Sequence, residues 1–287
     1  MTRHGWNIGI AREAQLRYRR HSGQMSEMSI EENHNRNTET LLNNALITVI
    51  TPFSGRSWVL DEWISAFRAC AGKSNVRLIA IDNSCDEQFG NQLRSSLPKC
   101  GVSHMYHPFP VKATKFAAAT LSDTAQYRLE NGYALNVQMA KLYVEGRELA
   151  PSGTDFIWCL EDDVIVNSDT LFLLMRGLTI HRNAVACASS LHSRFEDQWL
   201  AWRGFFDNVT NIPPPPRNEY VSVSGTGFYS TLFRWKTFDN LIIRPTPLGG
   251  RNWFFYDWAA GYDIEKSGGT WLISGDVCSH RKKLTKT

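Results

Sequence analysis

Three short runs constrain the fold more than anything else in the chain. Leu46-Ile47-Thr48-Val49-Ile50, Val76-Arg77-Leu78-Ile79-Ala80-Ile81 and Asp155-Phe156-Ile157-Trp158-Cys159-Leu160 are almost continuous in β-branched, aromatic and other apolar residues. A strand with one wet face alternates apolar and polar residues, whereas a strand buried on both faces does not. Between the first two runs, Trp58–Ala71 carries its apolar residues at helical spacing. Strand, helix, strand is a βαβ unit with a right-handed connection. The alternation continues with a helix over 86–97, a short strand over Val102–His107 and a long helix over 123–149. After the third run come a helix over Asp169–Leu178, a strand over Ala184–Ser189, and a last strand over Thr270–Ile273. The fold class is therefore α/β, a largely parallel sheet flanked by helices. Residues 193–219 break the pattern with aromatics and turn formers and end on Pro213-Pro214-Pro215-Pro216, a stiff polyproline II stretch. Strand-like 220–231 and helices near 234–240 and 255–266 follow.

The strands begin only at Ala45. Residues 1–44 are polar and weakly patterned and read as an N-terminal extension, helical around Ile10–Tyr18, with Met25–Asn44 as a linker or loosely docked arm. Residues 45–287 read as a single domain. The net charge of +3 suits an anionic ligand but does not by itself point to nucleic acid. No run reaches the roughly eighteen apolar residues of a membrane span, and the N-terminus lacks a signal-peptide core. The six cysteines form no CxxC pair. These features together predict reduced thiols in a cytoplasmic protein.

Open α/β sheets bind ligands at the carboxyl ends of their strands. Three such ends are polar here: Thr51, Asp82-Asn83 and Glu161-Asp162-Asp163. They are expected to converge on one crevice. In an extended chain Glu161 and Asp163 share a side and Asp162 takes the other. Close carboxylates repel unless a cation or proton sits between them, so the triplet reads either as a solvated acidic turn or as a Mg²⁺ or Mn²⁺ site. Asp82 is either a ligand contact or a turn former. Asp257, among Trp253, Phe254, Phe255, Tyr256 and Trp258, is either a first-turn helix residue or a desolvated general base. His280 is either structural or a metal ligand. A zinc pair with Cys278 lacks its second half. The chain has no GxxxxGK[ST] loop, GxSxG elbow or HExxH motif, and Gly225-Thr226-Gly227 lacks the third glycine of a dinucleotide fingerprint.

Taken in order, these pieces resemble the GT-A fold glycosyltransferases, most closely the family 2 group. Thr51-Pro52-Phe53-Ser54 is similar to that family's turn after its first strand, and Ile81-Asp82-Asn83-Ser84 to its second. Asn131-Gly132-Tyr133-Ala134-Leu135-Asn136 resembles its Asn-x-Gly-x-x-x-Asn helix start. Phe156–Asp163 falls where the family has Asp-x-Asp, and Asp169 with Leu171 where it has Pro-Asp-x-Leu. Asp257 stands in the place of the Asp of its Glu-Asp motif, with Gly268 and His280 following at family-like spacing. The resemblance covers about 46–280.

The resemblance implies a mixed, Rossmann-like sheet and a metal-dependent, inverting transfer of one sugar from a nucleotide-sugar, usually UDP-linked. Thr51, Pro52, Asp82, Asn83 and Asp162 would serve the donor. Asp163, with Glu161 and His280, would hold Mn²⁺ or Mg²⁺. Asp257 would deprotonate the acceptor hydroxyl. Glu161 replaces the usual first Asp, and Tyr256 replaces the usual Glu, which makes Asp263 a rival base. The Gln-x-x-Arg-Trp signature of processive synthases is absent. The acceptor is a glycan or a hydroxylated base in DNA, read by residues 193–219 and 244–256. Two other readings stand beside this one: a nucleotidyltransferase of similar fold, and a non-catalytic carbohydrate- or nucleic-acid-binding module.

Overall fold

The computed structural model describes residues 30–72, 74–110, 125–193, 197–205, 208–244, 246–248 and 252–282. The helix expected over Ile10–Tyr18 lies outside them. The described chain opens on α1 (Ile30–Asn44), then β1 (Ile47–Phe53), α2 (Leu60–Ala71), β2 (Val76–Asp82), α3 (Glu87–Ser96), β3 (Ser103–Pro108), α4 (Ala125–Glu148) and β4 (Phe156–Leu160). After the acidic triplet come β5 (Val164–Ile165), α5 (Thr170–Ile180) and β6 (Ala184–Leu191). Among its described residues, the interrupting stretch contributes only β7 (Ala201–Arg203) and β8 (Thr210–Asn211). Then follow β9 (Tyr220–Val223), β10 (Gly225–Thr226), β11 (Ser230–Arg234), α6 (Trp235–Asn240), β12 (Thr246–Leu248), β13 (Asn252–Phe254), α7 (Tyr256–Lys266) and β14 (Thr270–His280).

Nine strands form the main sheet, in the order β3-β2-β1-β4-β11-β6-β14-β5 with β9 also on β14. β1 to β4, β6 and β14 run one way, while β11, β9 and β5 run the other. The sheet is thus mixed and largely parallel, as the alternation of strands and helices predicts. The buried runs are buried on both faces for a period-2 reason. In β4, Phe156, Trp158 and Leu160 join the core beneath α1, α2, α3 and α5. Ile157 and Cys159 join the second core beneath α4, α6 and α7.

Two elements depart from the sequence reading. From Ile30 the supposed linker is a helix. It buries Thr38 and Leu42 and packs on α5, where Arg176 donates from Nε to Asn35 Oδ1 at 3.0 Å. Its low mean hydropathy hides it, because only one narrow stripe is apolar. The last strand also does not stop at Ile273. It passes an irregularity between Ile273 and Val277 and continues to His280. Gly275 and buried Asp276 break the apolar run there, and Asp276 accepts hydrogen bonds from Asn167 Nδ2 and Thr170 Oγ1. No helix among the described residues is long and apolar enough to cross a membrane. All six cysteines are free, and burial pushes the Cys70 thiol up to about 12 and Cys100 to about 11.

Close approach fixes α7 on the sheet. A Cβ on Gly261 would lie 2.3 Å from the Ser224 carbonyl oxygen, which is backbone and cannot move aside. Gly261→Ala is expected to cost about 1–3 kcal/mol as an overpacked contact. Thermal unfolding reads the loss, and an unchanged Tm would mean the helix can slide on its sheet.

Candidate active site

The polar strand ends do gather, though not all of them. A cavity of about 450 Å³ opens at the carboxyl ends of β1, β2 and β4, between Pro52, Asn83, Ser84, Glu161 and Asp162. Asn136, Gln138 and Met139 of α4 and Tyr256 and Asp257 of α7 close its other side. Thr51 does not reach it. That residue is fully buried within β1, and its Oγ1 makes no hydrogen bond. Asp82 is also turned inward. Its Oδ1 accepts from the Ser84 N–H at 3.0 Å and the Ser84 hydroxyl at 2.6 Å, and its Oδ2 from the Tyr106 hydroxyl at 2.7 Å. The carboxylate therefore builds the turn that presents Asn83 and Ser84 to the cavity.

The acidic triplet is a turn rather than an extended run, closed by Val164 N–H donating to Glu161 O at 3.3 Å. Even so, the carboxylates divide as the extended reading expects. Asp162 faces β1, where Oδ2 accepts from the Ser54 N–H at 2.8 Å and the Ser54 hydroxyl at 3.0 Å, and Oδ1 pairs with Arg56. Glu161 and Asp163 turn toward His280. One ligand atom from each of these three lies within 4.8 Å of the other two. Strand register brings them together: β14 runs antiparallel to β5 and sets His280 opposite Val164, the residue after Asp163. Arg281 N–H then donates to Asp163 O at 2.9 Å and locks the crossing.

The surroundings suit a divalent cation. Asp163 is 0% exposed, and His280 is 11% exposed with Nε2 3.4 Å from Asp163 Oδ2. Neither ring nitrogen of His280 makes a hydrogen bond, although both are buried. A buried polar atom without a hydrogen bond is costly unless something satisfies it. Two carboxylates and an imidazole are a donor set for a divalent metal ion. Cys278 takes no part in it.

Arg56 is the residue that the sequence reading passed over. Its guanidinium spans Asp162 and Asp163, with Nη2 3.5 Å from Asp163 Oδ2. Burial alone would lower its pKa, but Asp162, Asp163 and Glu161 together more than offset that and raise it. Burial raises the Asp162 carboxyl, with Arg56 and Ser54 opposing.

Asp257 sits in the first turn of α7 and borders two cavities at once. One is the cavity just described. The other, of about 390 Å³, lies on the far side among Trp199, Trp202, Trp258, Tyr229 and His280. The residue keeps part of its surface open to these spaces, yet protein packs densely around the carboxyl. Burial pushes its pKa up to about 7, against the Trp258 N–H, which donates to Oδ1 at 2.9 Å. Asp263, the rival base, lies further along the same helix and borders neither cavity.

No family model and no curated protein sequence matches the chain. Solved structures do. A mannosyltransferase from Pyrobaculum calidifontis, solved with GDP-Man and Mn²⁺, is 11% identical with a TM-score of 0.51, over 86% of this chain and 63% of that one. S. aureus TarS residues 1–349 with UDP-GlcNAc gives 9% identity and a TM-score of 0.48, over 84% of this chain and 60% of that one. A 4-diphosphocytidyl-2C-methyl-D-erythritol synthase from Anaerococcus prevotii gives 10% and 0.46, over 86% and 93%. The chain thus spans less than two thirds of the mannosyltransferase and of TarS 1–349. At such identity the likeness is one of architecture, and on the mannosyltransferase it rests that this chain has a GT-A-like fold.

Proposed function

We propose that this protein is a metal-dependent glycosyltransferase that moves one sugar, with inversion, from a nucleotide-sugar to a hydroxyl acceptor. The observation that carries the reading is the convergence of Glu161, Asp163 and His280 beside a cavity whose far wall is Asp257. The Pyrobaculum neighbour's GDP-Man and Mn²⁺ fit the same donor class; a uridine diphosphate donor is this reading's first choice. Pro52, Asn83 and Ser84 face the nucleoside, and Asp162 holds the Ser54–Arg56 loop in place. Glu161, Asp163 and His280 would hold Mn²⁺ or Mg²⁺, which when bound stabilises negative charge on the departing diphosphate.

Asp257 takes the proton from the acceptor hydroxyl. The freed oxygen bonds to the anomeric carbon as that carbon's bond to the diphosphate oxygen breaks, and the electron pair leaves with the nucleoside diphosphate. Acceptor and leaving group occupy opposite sides of the sugar, so configuration inverts. A carboxyl poised near neutrality suits this step. Nucleotidyl transfer to a sugar phosphate needs no such base, because the attacking phosphate oxygen is already anionic. The experiment is incubation with UDP-sugars and, separately, with NTP plus sugar phosphate, with and without Mn²⁺. Metal-dependent release of UDP supports the reading. Release of pyrophosphate indicates a nucleotidyltransferase, and no turnover with any donor indicates a binding module.

Arg56 supplies a further test of the donor site. It is the one Lys or Arg among the described residues that line the donor cavity, and its planar fork bridges Asp162 and Asp163. Lysine keeps the charge but not the fork. Arg56→Lys is expected to lower Tm somewhat, because one buried carboxylate loses its partner, and to weaken UDP binding about tenfold, the loss of one charge-assisted hydrogen bond. Calorimetric titration reads it, and an unaltered affinity removes Arg56 from the diphosphate site.

A further inference from the structure

The second cavity has a chemistry of its own. Three tryptophans line it: Trp202 stacks on Trp258 with centroids 5.0 Å apart and planes at 25°, and Trp199 borders the same cavity. β7 and β8 pair here, Trp202 opposite Asn211, and Asn211 Nδ2 donates to Gln198 Oε1 at 2.9 Å. The two amides thus sit side by side at the rim. Trp202 is only 7% exposed, yet its indole N–H is buried without a hydrogen bond. An indole N–H buried in a protein normally finds an acceptor; this one has none and packs toward Gly225. Among the described residues lining the cavity there is no Lys or Arg, and the titratable ones are Glu161, Asp257, His280 and the phenols Tyr229 and Tyr256.

We infer that this cavity is the acceptor site and that it takes the ring of a neutral saccharide. This rests on the transferase reading for its role, but not for its binding chemistry. The half-exposed Trp199 ring matches the flat C–H face of a pyranose, while the Gln198 and Asn211 amides match its hydroxyls. Such a mix of apolar walls and a few placed polar groups is typical of small-ligand sites. A nucleic-acid acceptor would bring a phosphate on each side of its base and requires cations along the groove. The wall here is acidic instead. Asp257 borders this cavity and the donor cavity alike, so a ring hydroxyl held here lies beside the proposed base with the donor sugar beyond it.

The test measures binding rather than transfer. The probes are the methyl glycosides of glucose, galactose, mannose and N-acetylglucosamine, and a single-stranded oligonucleotide carrying 5-hydroxymethylcytosine. Each is followed by saturation-transfer NMR and by titration of tryptophan fluorescence, with and without UDP and Mn²⁺. The variants are Trp199→Ala, at a half-exposed ring, and Asn211→Ala, which removes one of the two amides lining the cavity. The expected result is binding of at least one glycoside by the wild type, weakened about tenfold in either variant, with UDP affinity unchanged in both. Binding of none of the glycosides, binding of the oligonucleotide in their place, or full glycoside binding by both variants overturns the inference. If UDP fails to bind while the glycosides behave as expected, the transferase reading falls and the saccharide site stands.

Discussion

Asp163→Asn is expected to abolish the Mn²⁺ dependence of UDP binding, leaving affinity in Mn²⁺ no better than in chelator. Asp163 is the one carboxylate of the triplet that is fully buried and also part of the metal set. It lies against His280 on one side and Arg56 on the other. Removing its charge leaves Glu161, in the turn after β4, and His280, at the end of β14, as the remaining strong donors. Changes even to groups behind a metal's ligands typically cost about 10–100-fold in affinity, so loss of a ligand itself should exceed that. Thermal shift gives a second reading. A ligand at about one hundred times its Kd stabilises by roughly 2.7 kcal/mol. Mn²⁺ with UDP should therefore raise the Tm of the wild type and not that of the variant. The amide also weakens the contact with Arg56, so Tm without ligand will fall somewhat; the ligand-induced difference separates the two effects. Equal stabilisation of variant and wild type by Mn²⁺ with UDP would sink the metal assignment.

How far the sequence carried this site depends on where each residue gets its position. Glu161, Asp162 and Asp163 were legible because they end a run that only a buried strand explains. Their division into one carboxylate facing β1 and two facing β14 was legible too, although the reason is a tight turn and not an extended chain. His280 was legible as either a structural residue or a metal ligand, and only the resemblance joined it to the triplet. Its approach to Asp163 depends on β14 continuing past Gly275 and Asp276, where the apolar pattern fails, and on an antiparallel register with β5. Neither is written in local periodicity. Thr51 shows the opposite failure. A polar residue at a strand's end reads as site-facing, but β1 is buried along its whole length and the first residue to reach the cavity is Pro52. Arg56 was missed because a single basic residue after a strand carries no pattern, and its meaning appears only when the two carboxylates it bridges are folded beside it. The tryptophans of the second cavity come from segments more than fifty residues apart, brought together by the docking of α7 on β10. The helix Ile30–Asn44 escaped for another reason: on a largely polar helix the buried stripe is too thin to stand out.

Asp257→Asn should keep donor binding and lose transfer by about 10²–10⁴-fold, the usual contribution of a general base. Its pH dependence distinguishes a base from a residue that merely shapes the cavity. Burial lifts the carboxyl from 3.8 to about 7, and only the deprotonated form can accept the hydroxyl proton. The wild-type rate should then fall about tenfold per pH unit below 7 and level off above it, while the residual rate of the variant should lack that bend. Stability carries the matching sign. Because the folded state binds this proton more tightly than the unfolded chain does, the carboxyl costs nothing below its ordinary pKa. It opposes folding increasingly as pH rises from about 4 to about 7. Asparagine has no proton to lose. The variant should therefore gain Tm relative to wild type across that window and hold the gain above pH 7. A variant that is inactive but no more stable at pH 8 than wild type would mean that the carboxyl is well solvated, which is incompatible with a base poised near neutrality. A variant that transfers at the normal rate would return the role to another group, and since Asp263 borders neither cavity, that group would have to come from the acceptor side.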